Sequence, residues 1–212
     1  MLDAHVGLLI PIVDFILEQK PPICGEVLFI GKQQTHGMEL QCAPGTTITT
    51  MDQSAYEGAD IIWDLVQPVP VEMWGKYDFI YDGGSLDNIF NPAQAMMNFT
   101  RMLKADGRMI CMAAASAYPD PYLMFSPGWF NDYYAANKFQ SWDVYACMYR
   151  NKKELLYGPW EWYLYDSEKS PNGSPPPAQK HKNWLIVTRA QQGPDTTCDA
   201  QPIQAQYRHS AA

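Results

Sequence analysis

Short apolar runs rich in Val, Ile, Phe and Tyr recur along this chain: Glu26–Gly31 (EVLFIG), Thr46–Met51 (TTITTM), Asp60–Trp63 (DIIW), Tyr77–Tyr81 (YDFIY) and Arg108–Ala114 (RMICMAA). They are nearly continuous, not alternating, which is the pattern of strands buried on both faces of a parallel sheet. Ahead of them Leu2, Val6, Leu9, Ile10, Val13, Ile16 and Leu17 keep helical spacing. Pro11 falls inside that stretch, so the helix either kinks there or restarts with Pro in its first turn. Between the fourth and fifth runs Asn91 caps a helix, Pro92 opens it, and Met96, Phe99, Met102 and Leu103 make its apolar face. Lys104 and Gly107 close it. Strand, crossover helix and parallel strand make the unit of a doubly wound α/β sheet. The strand order is expected to reverse between Glu26–Gly31 and Tyr77–Tyr81.

The pattern changes after the fifth run. Sixteen of the 28 aromatic residues fall within 118–165, which reads as an aromatic-rich lid region. Two more strand-like runs, Trp142–Tyr149 and Asn183–Thr188, flank a loop at 166–182 rich in Ser, Pro, Gly and Lys. Residues 1–190 read as one domain, and 191–212 as a flexible tail of low apolar content.

Charge and cysteine usage narrow the classes. The balance of 15 Lys+Arg against 23 Asp+Glu gives −8, with no basic cluster for a phosphate backbone, which disfavours a nucleic-acid binder. The apolar run from Val6 to Leu17 is interrupted by Asp14 and too short for a membrane span. The first Lys is Lys20, so a basic secretory leader is not expected. Five scattered cysteines without metal-ligand spacing read as free thiols in a reducing cytoplasm, with no metal site.

In an open parallel sheet a ligand binds beyond the carboxyl ends of the strands. The first strand delivers Gly31-Lys32-Gln33-Gln34-Thr35-His36-Gly37 to that edge. The second delivers Asp52-Gln53, with Asp52 standing 21 residues after Gly31, where a carboxylate can accept bonds from ribose hydroxyls. The third ends at Asp64-Leu65 and the fourth at Asp82-Gly83-Gly84. Taken singly, each Asp is equally an Asx-turn or a helix cap. Their order at consecutive strand ends is what points to a nucleoside.

That order resembles the Rossmann-like (class I) S-adenosylmethionine-dependent methyltransferases over about 20–190. Tyr77-Asp78-Phe79-Ile80-Tyr81-Asp82 is similar to the family's fourth strand, and Ser85-Leu86-Asp87-Asn88-Ile89 to its Thr/Ser-Leu-Glu-His-Val segment. Met102-Leu103-Lys104-Ala105-Asp106-Gly107-Arg108 resembles the Leu-Lys-Pro-Gly-Gly turn before strand five, and 125–130 a substrate-covering segment. The first glycine motif is degenerate: Phe29 replaces its acid, Gln33 and Thr35 two glycines, and only Gly31 matches. Asn88 stands where relatives carry a His, and an amide cannot take a proton at neutral pH.

The resemblance implies a mostly parallel sheet with an antiparallel last strand, S-adenosylmethionine as cofactor, and methyl transfer to oxygen or nitrogen of a small molecule. Gly31 and Gln33 would face the methionine end, Asp52 and Gln53 the ribose, Asp64 and Leu65 the adenine, and Asp82 and Gly83 the methyl. Asp87, Tyr122 or His36 would orient or deprotonate the acceptor. Two other readings stay open: a methyltransferase-fold protein that has lost catalysis and serves as a binding partner, and a nicotinamide-dependent reductase, which lacks G-x-G-x-x-G here.

Overall fold

The expected apolar runs form one mixed sheet of eight strands in a computed structural model that describes residues 9–32, 42–116, 121–167, 183–204 and 207. Strands β1 (Glu26–Ile30), β2 (Thr47–Asp52), β3 (Ile61–Ile62), β4 (Tyr77–Asp82) and β5 (Leu103–Ala114) are parallel, in the order β3-β2-β1-β4-β5. The order reverses between β1 and β4, as the crossover pattern implies. Beyond β5 lie β8 (Asn183–Gln191), β6 (Ser141–Tyr149) and β7 (Glu161–Leu164). Strand β8 runs antiparallel to both β5 and β6, which is the antiparallel last strand of the expected architecture.

Alternate side chains of each strand feed two cores. On one face Val27, Phe29, Phe79, Tyr81, Ile110 and Val187 pack under helix α1 (Ile10–Leu17) through its buried Ile12 and Ile16. On the other, Leu28, Ile30, Ile80, Met109, Cys111 and Ile186 pack under α2 (Pro92–Met102) and α3 (Pro127–Ala136), which contribute Met96, Phe99, Phe130 and Tyr134. Helix α1 starts at Ile10 with Pro11 in its first turn, where a missing N–H costs nothing. Asn91 caps α2 as its side chain accepts from the Gln94 amide at 3.3 Å, and Ser126 caps α3 in the same way.

Three features depart from the sequence pattern. Helix α2 ends at Met102, and β5 begins at once with Leu103 opposite Tyr77. The register then slips, so that Phe79 faces Arg108 and 104–107 bulge out of the ladder. Within that bulge Asp106, not Gly107, adopts the left-handed backbone (φ 63°). Glycine is needed at 107 because a Cβ would sit 2.7 Å from the Lys104 carbonyl oxygen. The connections on either side of β3 hold no α-helix, only turns and a short 3-10 segment at Val71–Met73, which leaves Ile62 about half exposed. The segment after β8 is held through Ala200: the Thr197 amide donates to the Asn137 carbonyl at 2.9 Å and the Ala200 amide to Asn137 Oδ1 at 3.0 Å.

Candidate functional site

The carboxyl ends of β1, β2 and β4 are stitched together by short polar links. The Gly31 amide donates to the Met51 carbonyl at 2.8 Å, carrying the β1–β2 ladder one residue past the strand, and Gly31 takes φ 80°. The Lys32 amide then donates to Asp52 Oδ2 at 3.3 Å, and the Ser54 amide to Asp52 Oδ1 at 3.1 Å. Asp52 is therefore an Asx-turn residue. Among the described residues each oxygen accepts one bond, and a carboxylate offers about four acceptor sites, so it can take further donors. Gln53 follows it on the exposed side. On the β4 side the Ser85 hydroxyl donates to the Ile30 carbonyl at 3.3 Å, fixing the β4 exit to the β1 exit.

The end of β3 is shaped by Asp64, whose Oδ1 accepts from the Val66 amide at 3.1 Å. Leu65 is buried in the core next to it. The residue that fixes this loop is Asn98 of α2, which is fully buried. Its Nδ2 donates to the carbonyls of Leu65 (3.0 Å) and Gln67 (2.8 Å), and its Oδ1 accepts from the Val69 amide at 3.1 Å. One amide thus replaces the helix that β3 lacks. Sequence reasoning missed it, because a lone Asn in an amphipathic helix reads as a surface residue. Removing its side chain strands the buried Leu65 carbonyl and Val69 amide, while water can reach exposed Gln67. Asn98→Ala is expected to lose about 2 kcal/mol and to speed amide hydrogen exchange across 64–69, measured by mass spectrometry.

Two acids close the β4 end. Asp82 is fully buried and accepts from the Ser85 amide at 2.8 Å and the Leu86 amide at 3.4 Å. Burial pushes its pKa to about 7, with Asp87 adding like-charge repulsion. Asp87 is also buried, and burial raises its pKa too. Its Oδ2 accepts from the Ala114 amide at 2.9 Å and its Oδ1 from Asn88 Nδ2 at 3.1 Å. Asp87 thereby clasps the β4 exit to the last residue of β5. Asn88 spends its amide on Asp87 and on the Gly84 carbonyl at 3.1 Å.

An apolar cavity of about 250 Å³ opens beside this clasp. Gly83, Gly84 and Asp87 form one wall and Met112, Ala113 and Ala114 of β5 the next. Leu9, Leu155 and Leu185 complete it from three distant parts of the chain, which no sequence signal brings together. Among the described residues Asp87 is its only ionisable lining residue. Tyr122 is outside that lining: it is exposed and meets the exposed Phe90 edge-on at 6.0 Å, forming an aromatic rim. Gln33 and His36 lie outside the described residues. Among the described residues no group of three or more potential metal ligands occurs, and no helix is long and apolar enough to cross a membrane.

No family model matches the chain, and no curated protein is similar to it in sequence. Solved structures match it in fold. A SAM-dependent methyltransferase from Archaeoglobus fulgidus superposes with a TM-score of 0.55 at 8% identity, covering 86% of this chain and 90% of that one. Phosphoethanolamine N-methyltransferase 2 of Haemonchus contortus, in complex with phosphomonomethylethanolamine and S-adenosylhomocysteine, gives 0.56 at 11% identity over 87% of this chain. This chain spans about half of that enzyme, 53% of its length. The [4+2]-cyclase SpnF gives 0.54 at 14% identity, covering 86% and 80%. At these identities the likeness fixes the fold, which is that of the Rossmann-like methyltransferases.

Proposed function

We propose that this chain binds S-adenosylmethionine across the carboxyl ends of β1 to β4 and methylates an oxygen or nitrogen of a small acceptor with an apolar body. The observation that carries the reading is the series Asp52, Asp64 and Asp82 at consecutive strand ends, beside a cavity lined by the carboxyl of Asp87. The donor set suits the nucleoside half of the cofactor. Asp52 keeps open acceptor sites for two ribose hydroxyls, and Asp64 with Leu65 offers an acceptor and an apolar wall to adenine. Gly31 and Gln33 would meet the methionine end, with Gln53 flanking the ribose and Gly83 bordering the methyl.

When bound, the cofactor supplies an electrophilic methyl group on a sulfonium. The protein's part is to hold the acceptor in line and exclude water, since positioning alone provides much of the rate. Asp87 borders the cavity with a raised pKa, which makes its carboxylate a better base than an ordinary one. It takes the proton that the acceptor oxygen or nitrogen sheds. Tyr122 is assigned the orientation of the acceptor, with His36 as the other candidate for that role. Among the described residues no Lys or Arg lines the cavity to neutralise a phosphate.

Methyl incorporation from labelled cofactor tests this on matched phenols and amines with and without a phosphate. The phosphate-free member of each pair should be methylated at least about tenfold faster, and Asp87→Asn should lower the rate about 100-fold. Preference for the phosphorylated members would contradict the acceptor assignment. A second reading has its own support: both Asp87 oxygens are already engaged, Oδ2 by the Ala114 amide of β5 and Oδ1 by the neighbouring Asn88 amide, as in a fold kept for binding alone. It forecasts cofactor binding with no turnover of any acceptor.

A further inference from the structure

A second, chemically different pocket lies between α1, β6 and the segment joining α4 (Lys152–Tyr157) to β7, with a volume of about 490 Å³. It shares no lining residue with the cavity at Asp87. Its walls are aromatic: Phe15, Tyr145, Tyr157, Trp160 and Trp162. Phe15 stacks on Trp162 with centroids 5.1 Å apart, and Tyr145 meets both edge-on at 5.5 and 5.7 Å. Trp160 packs against Trp162 at 5.6 Å, and its indole N–H is held by the carbonyls of Glu154 and Leu155. The rings therefore form a prearranged cluster and do not move independently.

The same pocket is lined by Asp14 and Glu18 and, among the described residues, by no Lys, Arg or His. These acids stand four residues apart on α1, where like charges repel. Glu18 is also the C-cap residue, at the negative end of the helix dipole. The last turn has no basic residue, and neither acid has an ion pair among the described residues. Helix electrostatics disfavour both positions. A pair of uncompensated acids set against five aromatic rings is the arrangement that attracts a positive charge with an apolar surface.

We propose that this pocket binds an organic cation carrying a methylated ammonium group. Open ring faces contact the methyl shell, and Asp14 and Glu18 supply the countercharge. Such a ligand would relieve the repulsion built into the end of α1. An inorganic cation, more strongly hydrated, gains little from the rings, and a neutral ligand of the same shape gains nothing from the acids.

Choline is the probe, added to the whole nitrogen-labelled chain at fixed ionic strength set with potassium chloride. Trp160→Phe and Trp162→Phe assign the two indole N–H signals in proton–nitrogen spectra. Choline should shift both signals saturably, and its uncharged carbon isostere should bind roughly tenfold more weakly. The Asp14→Asn/Glu18→Gln double variant, both sites being exposed, should fold normally and bind choline about tenfold more weakly. Equal affinity for the isostere, undiminished binding by the double variant, or no shift of either signal would overturn the proposal. These results do not depend on cofactor binding, so they stand apart from the fate of the methyltransferase reading.

Discussion

Gly25→Ala is expected to lower the melting temperature by about 6–12 °C, the equivalent of about 3 kcal/mol in a chain of this size. Two costs add at this position, just before β1. Its φ of 83° is left-handed, which costs an L side chain about 1–2 kcal/mol. A Cβ there would also lie 2.3 Å from Asp78 Oδ2 and 2.8 Å from its Cγ. Asp78 cannot yield freely, since the same oxygen accepts from the Glu26 amide at 2.7 Å and pairs with Lys104 Nζ at 2.7 Å. This junction ties the start of β1 to β4 and to the bulge of β5. Gly45 is the control: its φ is also 83°, yet nothing lies within 4 Å of the added atom. Gly45→Ala should lose only about 1 kcal/mol, or about 2–4 °C. Thermal melts followed by circular dichroism decide the matter, and equal losses at both sites would show that Asp78 is not the obstacle.

The second large effect is on the pH dependence of stability. Asp82 has a pKa of about 7 in the folded chain against the ordinary 3.8. Between these values the native state holds a proton that the unfolded state has released. Stability therefore falls as pH rises through that window, the contribution being complete below 3.8 and gone above about 7. At 1.36 kcal/mol per unit the full span is about 4 kcal/mol. Asp87, raised in the same direction by burial, adds to the same trend. Asp82→Asn keeps an oxygen for the Ser85 amide and has no charge to bury. Its melting temperature should decline much less than the parent's from acid to neutral pH and exceed it at pH 8. Parallel curves for the two proteins would rule out Asp82 as the titrating group.

Strands β1 and β4 and the second half of β5 were legible because they are buried on both faces, and burial leaves a continuous apolar run. Strand β7 was not, since Glu161 and Leu164 are exposed at the sheet edge and only Trp162 and Tyr163 are partly covered. Helix α2 was recognised from its cap and apolar face, but its end was misjudged. The slip of β5 depends on Lys104 reaching Asp78, a contact between segments 26 residues apart. The strand-end acids could be read from sequence because Asp52 and Asp82 close their strands and Asp64 comes two residues after β3. What each acid touches could not be read: Asp87 meets Ala114, and Asp52 meets Lys32, only after the sheet is assembled. Asn98 and the leucines of the cavity at Asp87 left no local pattern at all, since their neighbours lie on other elements.

Titration calorimetry of S-adenosylmethionine into the parent chain and into Asp52→Ala bears most directly on the central claim. The account predicts that the parent binds and that the variant, with its melting temperature nearly unchanged, binds about ten- to a hundredfold more weakly. That loss corresponds to about 1.5–3 kcal/mol for hydrogen bonds to a charged group. No binding by the parent, or equal binding by the two, would contradict it.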